Sequence, residues 1–129
     1  MAIQLSVAAR NALLDAVETA AGATAHLKIY TGTIPADCAA AATGTLLVDM
    51  ALPSDWMNAA SSGSKTLLGT WQVTATTGGT AGYFRITDTA GTNCHIQGTI
   101  GTDMTLDNTS INSGQTVTIT SFTLTAPNA

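Results

Sequence analysis

The sequence predicts a mainly β fold: an antiparallel β-sandwich, or alternatively a Greek-key barrel, of about seven or eight short strands behind one N-terminal α-helix. Three observations point there. Apolar and polar residues alternate in short runs along most of the 129-residue chain, which is the period-two pattern of half-buried strands. Turn-forming Gly, Asn and Asp clusters separate those runs at roughly ten-residue spacing. Only one segment has helical periodicity and it precedes every run, so the helix-strand alternation of a parallel sheet is missing. Residues 1–22 are expected to form the helix or arm, and residues 23–129 a single β domain of a size that needs no second core.

Ser6 is placed to cap a helix running to about Ala21, with Gly22 as its left-handed stop. Ala9, Leu13, Val17 and Ala20 recur at helical spacing beside Leu14, while Asn11, Asp15 and Glu18 mark another face. Two roles are open for this alanine-rich stripe: covering one side of the β domain, or docking on a neighbouring subunit. From His26 to Tyr30 the period becomes two, with Leu27 and Ile29 on one face and His26, Lys28 and Tyr30 on the other. Thr31 to Gly44 reads as a loop, because its Ala39 to Ala42 run is too short and uncapped to hold a helix. Thr45 to Leu52 is a second strand with Leu46, Val48 and Met50 on one face, and Pro53 ends it.

Pro53 to Met57 reads as a turn or single helical turn, with Trp56 and Met57 as a lid on one end of the core. A strand starts at Lys65 and runs, through a bend at Gly69, into Trp71–Gly101. That stretch reads as a three-run meander reversing at Gly78-Gly79 and again at Asp88–Gly91. Phe84 and Ile86 share the core parity, which turns Arg85 outward. On the third run Cys94, Ile96 and Gly98 are expected on one face, and His95, Gln97 and Thr99 on the other. Met104 to Asp107 is a short strand, Ile111 anchors the polar Asn108 to Gln115 segment, and Thr116 to Thr125 is the final strand. A bulge near Ser121-Phe122 would shift that strand's parity, because one extra residue inverts all later facings.

Composition narrows the function. Charged residues make up 9% and hydrophobic residues 45%, well below the charge of a usual free surface. The chain therefore depends on Thr, Ser, Gly and Ala for solubility, a surface suited to packing against other protein. A net charge of -4 with only Arg10, Lys28, Lys65 and Arg85 as fixed cations argues against nucleic acid, which requires a basic cluster. No basic segment and apolar run open the chain, so secretion is not expected, and no run of some 18 apolar residues marks a membrane span. Cys38 and Cys94 are expected as two buried thiols rather than a bridge, and they lack the partners of a zinc site.

No catalytic residue is singled out. His26 and His95 have no nucleophile at a recognised spacing, and strand alternation separates Cys94 from His95. Asp103 and Asp107 lack the dense Asp/Asn loop of a calcium site. The glycines near Gly78 and Gly91 are not followed by a helix whose N-terminus could hold a phosphate. Trp71, Tyr83 and Phe84 are better read as core than as a sugar platform.

The stretch GYFRITDTAGTNCHIQGTIG, with DMTLDNTSINSGQTVTITSFTLTAPNA and the upstream LKIYTGTIPA, resembles a family of small structural proteins of tailed bacteriophages. Members are similar in order and spacing: a short helix, a Leu-Lys-Ile-Tyr-x-Gly strand, a Phe-Arg-Ile-x-Asp hairpin, a Gly-Thr-x-Gly-Thr turn and a final Thr/Val-rich strand ending in Ser-Phe-Thr. The Ala39 to Ala42 loop and the two cysteines depart from that pattern. The resemblance implies a non-enzymatic virion protein without cofactor or metal, made in the host cytoplasm, that decorates or cements the capsid surface. Its partners would be the major capsid protein or other virion proteins and further copies of itself, with no nucleic acid and no membrane. Leu13, Leu14 and Val17 of the helix, Ile34 and Pro35 of the loop, and Trp56, Met57 and Arg85 are the expected inter-subunit contacts. A neck, tail or fibre-associated role, or a receptor- or glycan-binding module, are the alternatives.

Overall fold

The computed structural model describes residues 3–129. Helix α1 spans Val7–Ala21, and the Ser6 hydroxyl accepts a hydrogen bond from Ala9 N, satisfying one of the free donors of the first turn. Gly22 ends it with a φ of 91° and its own N–H on Glu18 O; its ψ of 176° lies outside the left-handed helical basin. Ten short strands follow. β1 (His26–Tyr30), β2 (Leu46–Ala51), β6 (Tyr83–Thr87) and β7 (Cys94–Thr99) form one four-stranded antiparallel sheet in the order β2-β1-β6-β7.

The second sheet is organised by β10 (Thr116–Thr125), which pairs with β3 (Ser64–Thr66), β4 (Gln72–Thr74) and β8 (Met104–Leu106). β5 (Gly79–Thr80) and β9 (Ser110–Ile111) make a two-stranded ribbon beside the sheets. β3 and β4 are the two halves of the strand expected from Lys65 onward. Leu67 N donates to Phe122 O and Ile119 N donates to Trp71 O, so both halves track β10, while Gly69, at a φ of 78°, breaks the line between them. Breaks of this kind, together with the small β5–β9 ribbon, raise the strand number above the seven or eight expected.

The meander is half right. Asp88–Gly91 does reverse the chain between β6 and β7: Gly91 N donates to Asp88 O, and the Asp88 carboxylate accepts from Thr92 N and the Asn93 amide. Gly78-Gly79 makes no hairpin. β4 pairs with the C-terminal β10 instead of β6, and Gly79 enters β5, where it pairs with Ile111. Local turn chemistry favours reversal at a Gly-Gly pair, but the choice of strand partner is made by core burial over long range.

The sheets face each other across one apolar core. Leu27, Ile29, Val48, Met50, Phe84 and Ile86 line it from the first sheet, and Val117, Ile119 and Phe122 from β10. An aromatic seam crosses it: Phe84 meets Phe122 edge-on at 5.5 Å, Phe122 meets Trp71 at 5.8 Å, and Trp71 meets Trp56 at 5.9 Å. These are the offset and edge-to-face distances that aromatic quadrupoles favour, each pair adding about 0.5–1.5 kcal/mol beyond area burial. Phe122 reaches the seam because the β8–β10 register slips between Ile119 and Ser121, returning it to the face of Val117 and Ile119. Leu47 is fully buried, against the expectation for its parity. The β1–β2 register slips between Ile29 and Tyr30, pairing Tyr30 with Leu46 and leaving Leu47 as the extra residue.

Gly98 on β7 lies under the Phe84 ring. A Cβ there would stand 2.7 Å from Phe84 Cε1 and 2.9 Å from Asp103 Cβ. Gly98→Ala is expected to force the ring off the seam and lower stability by about 1–3 kcal/mol, measured as a fall in the urea midpoint at unchanged m-value.

Candidate assembly surface

Helix α1 docks on the β domain by a mixed face of apolar and polar residues. Arg10, Asn11, Leu14, Val17, Glu18 and Ala21 form the buried and half-buried stripe, repeating at the 3.6-residue period. Arg10 Nε and Nη2 donate to Ala126 O, and its guanidinium covers Gly63, where a Cβ would lie 2.4 Å from Arg10 Cζ. Asn11 Oδ1 accepts from Gly63 N, Asp15 Oδ1 from Ala60 N, and Glu18 Oε2 from Met57 N. Lys65 Nζ on β3 lies 2.7 Å from Asp15 Oδ1 and 2.9 Å from Glu18 Oε1, with its side chain only 2% exposed.

Burial by itself would lower the Lys65 pKa, but the two carboxylates outweigh it and hold the pKa above its ordinary value. The hydrogen bond from Lys65, with that from Ala60 N, holds the Asp15 carboxyl below the usual carboxylate range.

This arrangement divides the apolar stripe expected of the helix. Leu14 and Val17 turn inward. Ala9, Ala12, Leu13, Ala16 and Ala20 face solvent, flanked by Val7 at 53% exposure and Ile3 at 78%. Leu13, 48% exposed, overhangs an open groove of about 420 Å³ walled by Leu14, Val17, Ile96, Leu124 and Pro127.

The outer face of the first sheet is covered by the irregular segment 31–45, which acts as a strap. Its ends are pinned by Thr31 N to Thr45 O and Thr45 N to the Thr31 hydroxyl. The Tyr83 hydroxyl donates to Thr43 O and accepts from Thr43 N, Gln97 Nε2 donates to Pro35 O, and Arg85 Nη2 donates to Asp37 O and Ala40 O. Arg85 does leave the core side of β6, as its parity requires. It does not reach water: the strap closes over it to 6% exposure, and backbone carbonyls rather than an acid receive its charge. Cys94 also faces the strap, because the β6–β7 register slips between Ile86 and Thr87 and leaves His95 as the extra residue. It therefore shares a face with Gln97, not with Ile96 and Gly98.

Of the expected contact residues, Leu13 is exposed and Val17, Ile34 and Pro35 are half-buried. Leu14, Trp56, Met57 and Arg85 are buried within the chain, Leu14 at the wall of the groove beneath Leu13. Trp56 closes the core beneath the helix, donating from Nε1 to Gly22 O. The outward alanines at 12 and 16 were missed. The clue available for them was the position of Arg10, Asn11 and Glu18 on one side of the helix, which puts Ala12 and Ala16 on the other.

All four Lys and Arg side chains are engaged internally, Lys28 by Asp49, whose second oxygen meets His26 Nδ1. Burial pushes the Asp49 carboxyl up, but these two bonds more than offset it and leave the pKa lowered. Among the described residues no three His, Cys, Asp or Glu side chains group as a metal site, and no helix is long and apolar enough to cross a membrane. Compared with protein-family models, curated proteins and solved structures, the chain matches none.

Two outcomes are expected. Lys65→Met, which leaves two carboxylates facing an apolar group, lowers stability by about 1–2 kcal/mol and speeds amide exchange along Val7–Ala21; adding Glu18→Leu recovers part of the loss. Protection of the helix amides has a plateau in pH. The Asp15 contribution is complete above its unfolded pKa of about 3.9 and is lost as pH falls through its lower folded value. The Lys65 contribution is complete below about 10.4 and is lost as pH rises through its higher folded value. Hydrogen exchange across that range, corrected for intrinsic rate, measures both edges.

Proposed function

We propose that the chain is a non-enzymatic structural protein of a tailed-bacteriophage virion, binding the assembled capsid as an oligomeric decoration or cement protein that stabilises the head. The observation carrying this reading is the orientation of α1: its charged residues bind the β domain, and its uncharged Ala/Leu face points to solvent. A helix whose inward face combines Leu14, Val17 and Ala21 with Arg10, Asn11 and Glu18 leaves Ala9, Ala12, Leu13 and Ala16 available for a second protein surface. The engagement of every lysine and arginine within the chain favours recognition by shape and apolar contact over recognition of phosphate. Many copies on a lattice would make such modest contacts sum by avidity, and a ligand that binds only the assembled lattice stabilises it by linkage.

Deleting the helix would also uncover Trp56 and strand Lys65, so point changes on the outer face are the cleaner test. Leu13→Asp and Ala16→Asp are expected to leave the unfolding midpoint within about 0.5 kcal/mol of wild type while at least tenfold more protein is lost from purified capsids on sedimentation. Undiminished retention would exclude the helix face as the contact. Copy number separates the places on the particle: a decoration protein is expected in hundreds per virion, and a neck or tail-tip component in about a dozen or fewer.

A further inference from the structure

The strap brings the two cysteines together from distant parts of the chain. The Asp37 carboxylate accepts from Ala39 N and Ala40 N, folding residues 37–40 into a turn that fixes Cys38 directly over β7. Arg85 Nη2 holds the same turn from below through Asp37 O and Ala40 O. Cys94, moved onto this face by the bulge at His95, has its Sγ 2.7 Å from Cys38 Sγ, and both residues are half-buried free thiols. Two polar atoms on the same face, Arg85 Nε and Gln97 Oε1, are buried without a hydrogen-bond partner.

We propose that Cys38 and Cys94 are an oxidisable pair whose disulfide fastens the strap to the outer face of the first sheet. The oxidant is a small-molecule disulfide of the oxidised glutathione class. Cys94 donates its S–H toward Cys38, and burial, reinforced by that bond, pushes the Cys94 thiol up to about 12. One of the two sulfurs, as its thiolate, displaces one thiolate from the oxidant and forms a mixed disulfide. The other sulfur then attacks it, the Cys38–Cys94 bond forms, and the second small thiol departs. In sum two protein thiols and one small disulfide give one protein disulfide and two small thiols, the two electrons and two protons passing to the oxidant. The adjacency of the sulfurs favours the second step over a lasting mixed disulfide, and the closed loop restrains the unfolded chain.

The test uses the full chain equilibrated in glutathione buffers from fully reduced to fully oxidised, quenched with acid and labelled with N-ethylmaleimide. Expected in oxidised buffer is a monomer that takes up neither maleimide nor glutathione. Trypsin, cutting after Lys28, Lys65 and Arg85, should then release segments 29–65 and 86–129 as one disulfide-linked species. The oxidised form should melt roughly 10 °C higher than the reduced form and exchange the strap amides more slowly, whereas Cys38→Ser/Cys94→Ser should not respond to the buffer. Two maleimide labels at full oxidation, a stable glutathione adduct on one cysteine, or a bond between two chains would each overturn the proposal.

Discussion

The placement of one cation, Lys65 Nζ between Asp15 and Glu18, sets how the helix meets the β domain. An ammonium with its side chain 98% covered cannot be left without counter-charge, so the acidic side of α1 must rotate onto β3. Everything exposed by the helix follows from that rotation. The net stabilisation from such a pair is small, because desolvation offsets most of the attraction. What it sets is orientation: Arg10 on Ala126 O and Asn11 on Gly63 N can form only at the same helix rotation.

That logic separates what was legible in the sequence from what was not. Elements with their own local signal were readable: Ser6 and Gly22 bound the helix, Leu27 and Ile29 alternate correctly, Asp88 and Gly91 make their turn, and the extra residue near Ser121 was visible from the changed parity of Phe122. The antiparallel β class with one N-terminal helix was readable for the same reason. Partner choice was not. Trp71–Ala75 carries a strand pattern that fits either Tyr83–Thr87 or Thr116–Thr125, and nothing local distinguishes them.

The surface was the least legible part. Periodicity shows that a side chain leaves the core, but not whether another segment will cover it, so Arg85 was expected outward as an inter-subunit contact and lies beneath the strap. Trp56 and Met57 were read as a lid on one end of the core; that the lid is itself covered by a helix far away in sequence had no local signal. The inward turn of Glu18 on α1 depends on Lys65, whose burial has no local signal in the sequence.

The central role of β10 has a consequence for how the chain is made. Its partners β3, β4 and β8 all precede it, so the first sheet can be complete while the second still lacks the strand that joins it. During synthesis Leu27, Ile29, Phe84 and Ile86 would form one half of a core without the β10 side chains opposite until residue 122 clears the ribosome. A chain of this topology folds late and as a unit, since loop-closure entropy must be met before the long-range pairings reward it. Until then its apolar half-core is the surface that a chaperone, or another nascent copy, would meet first.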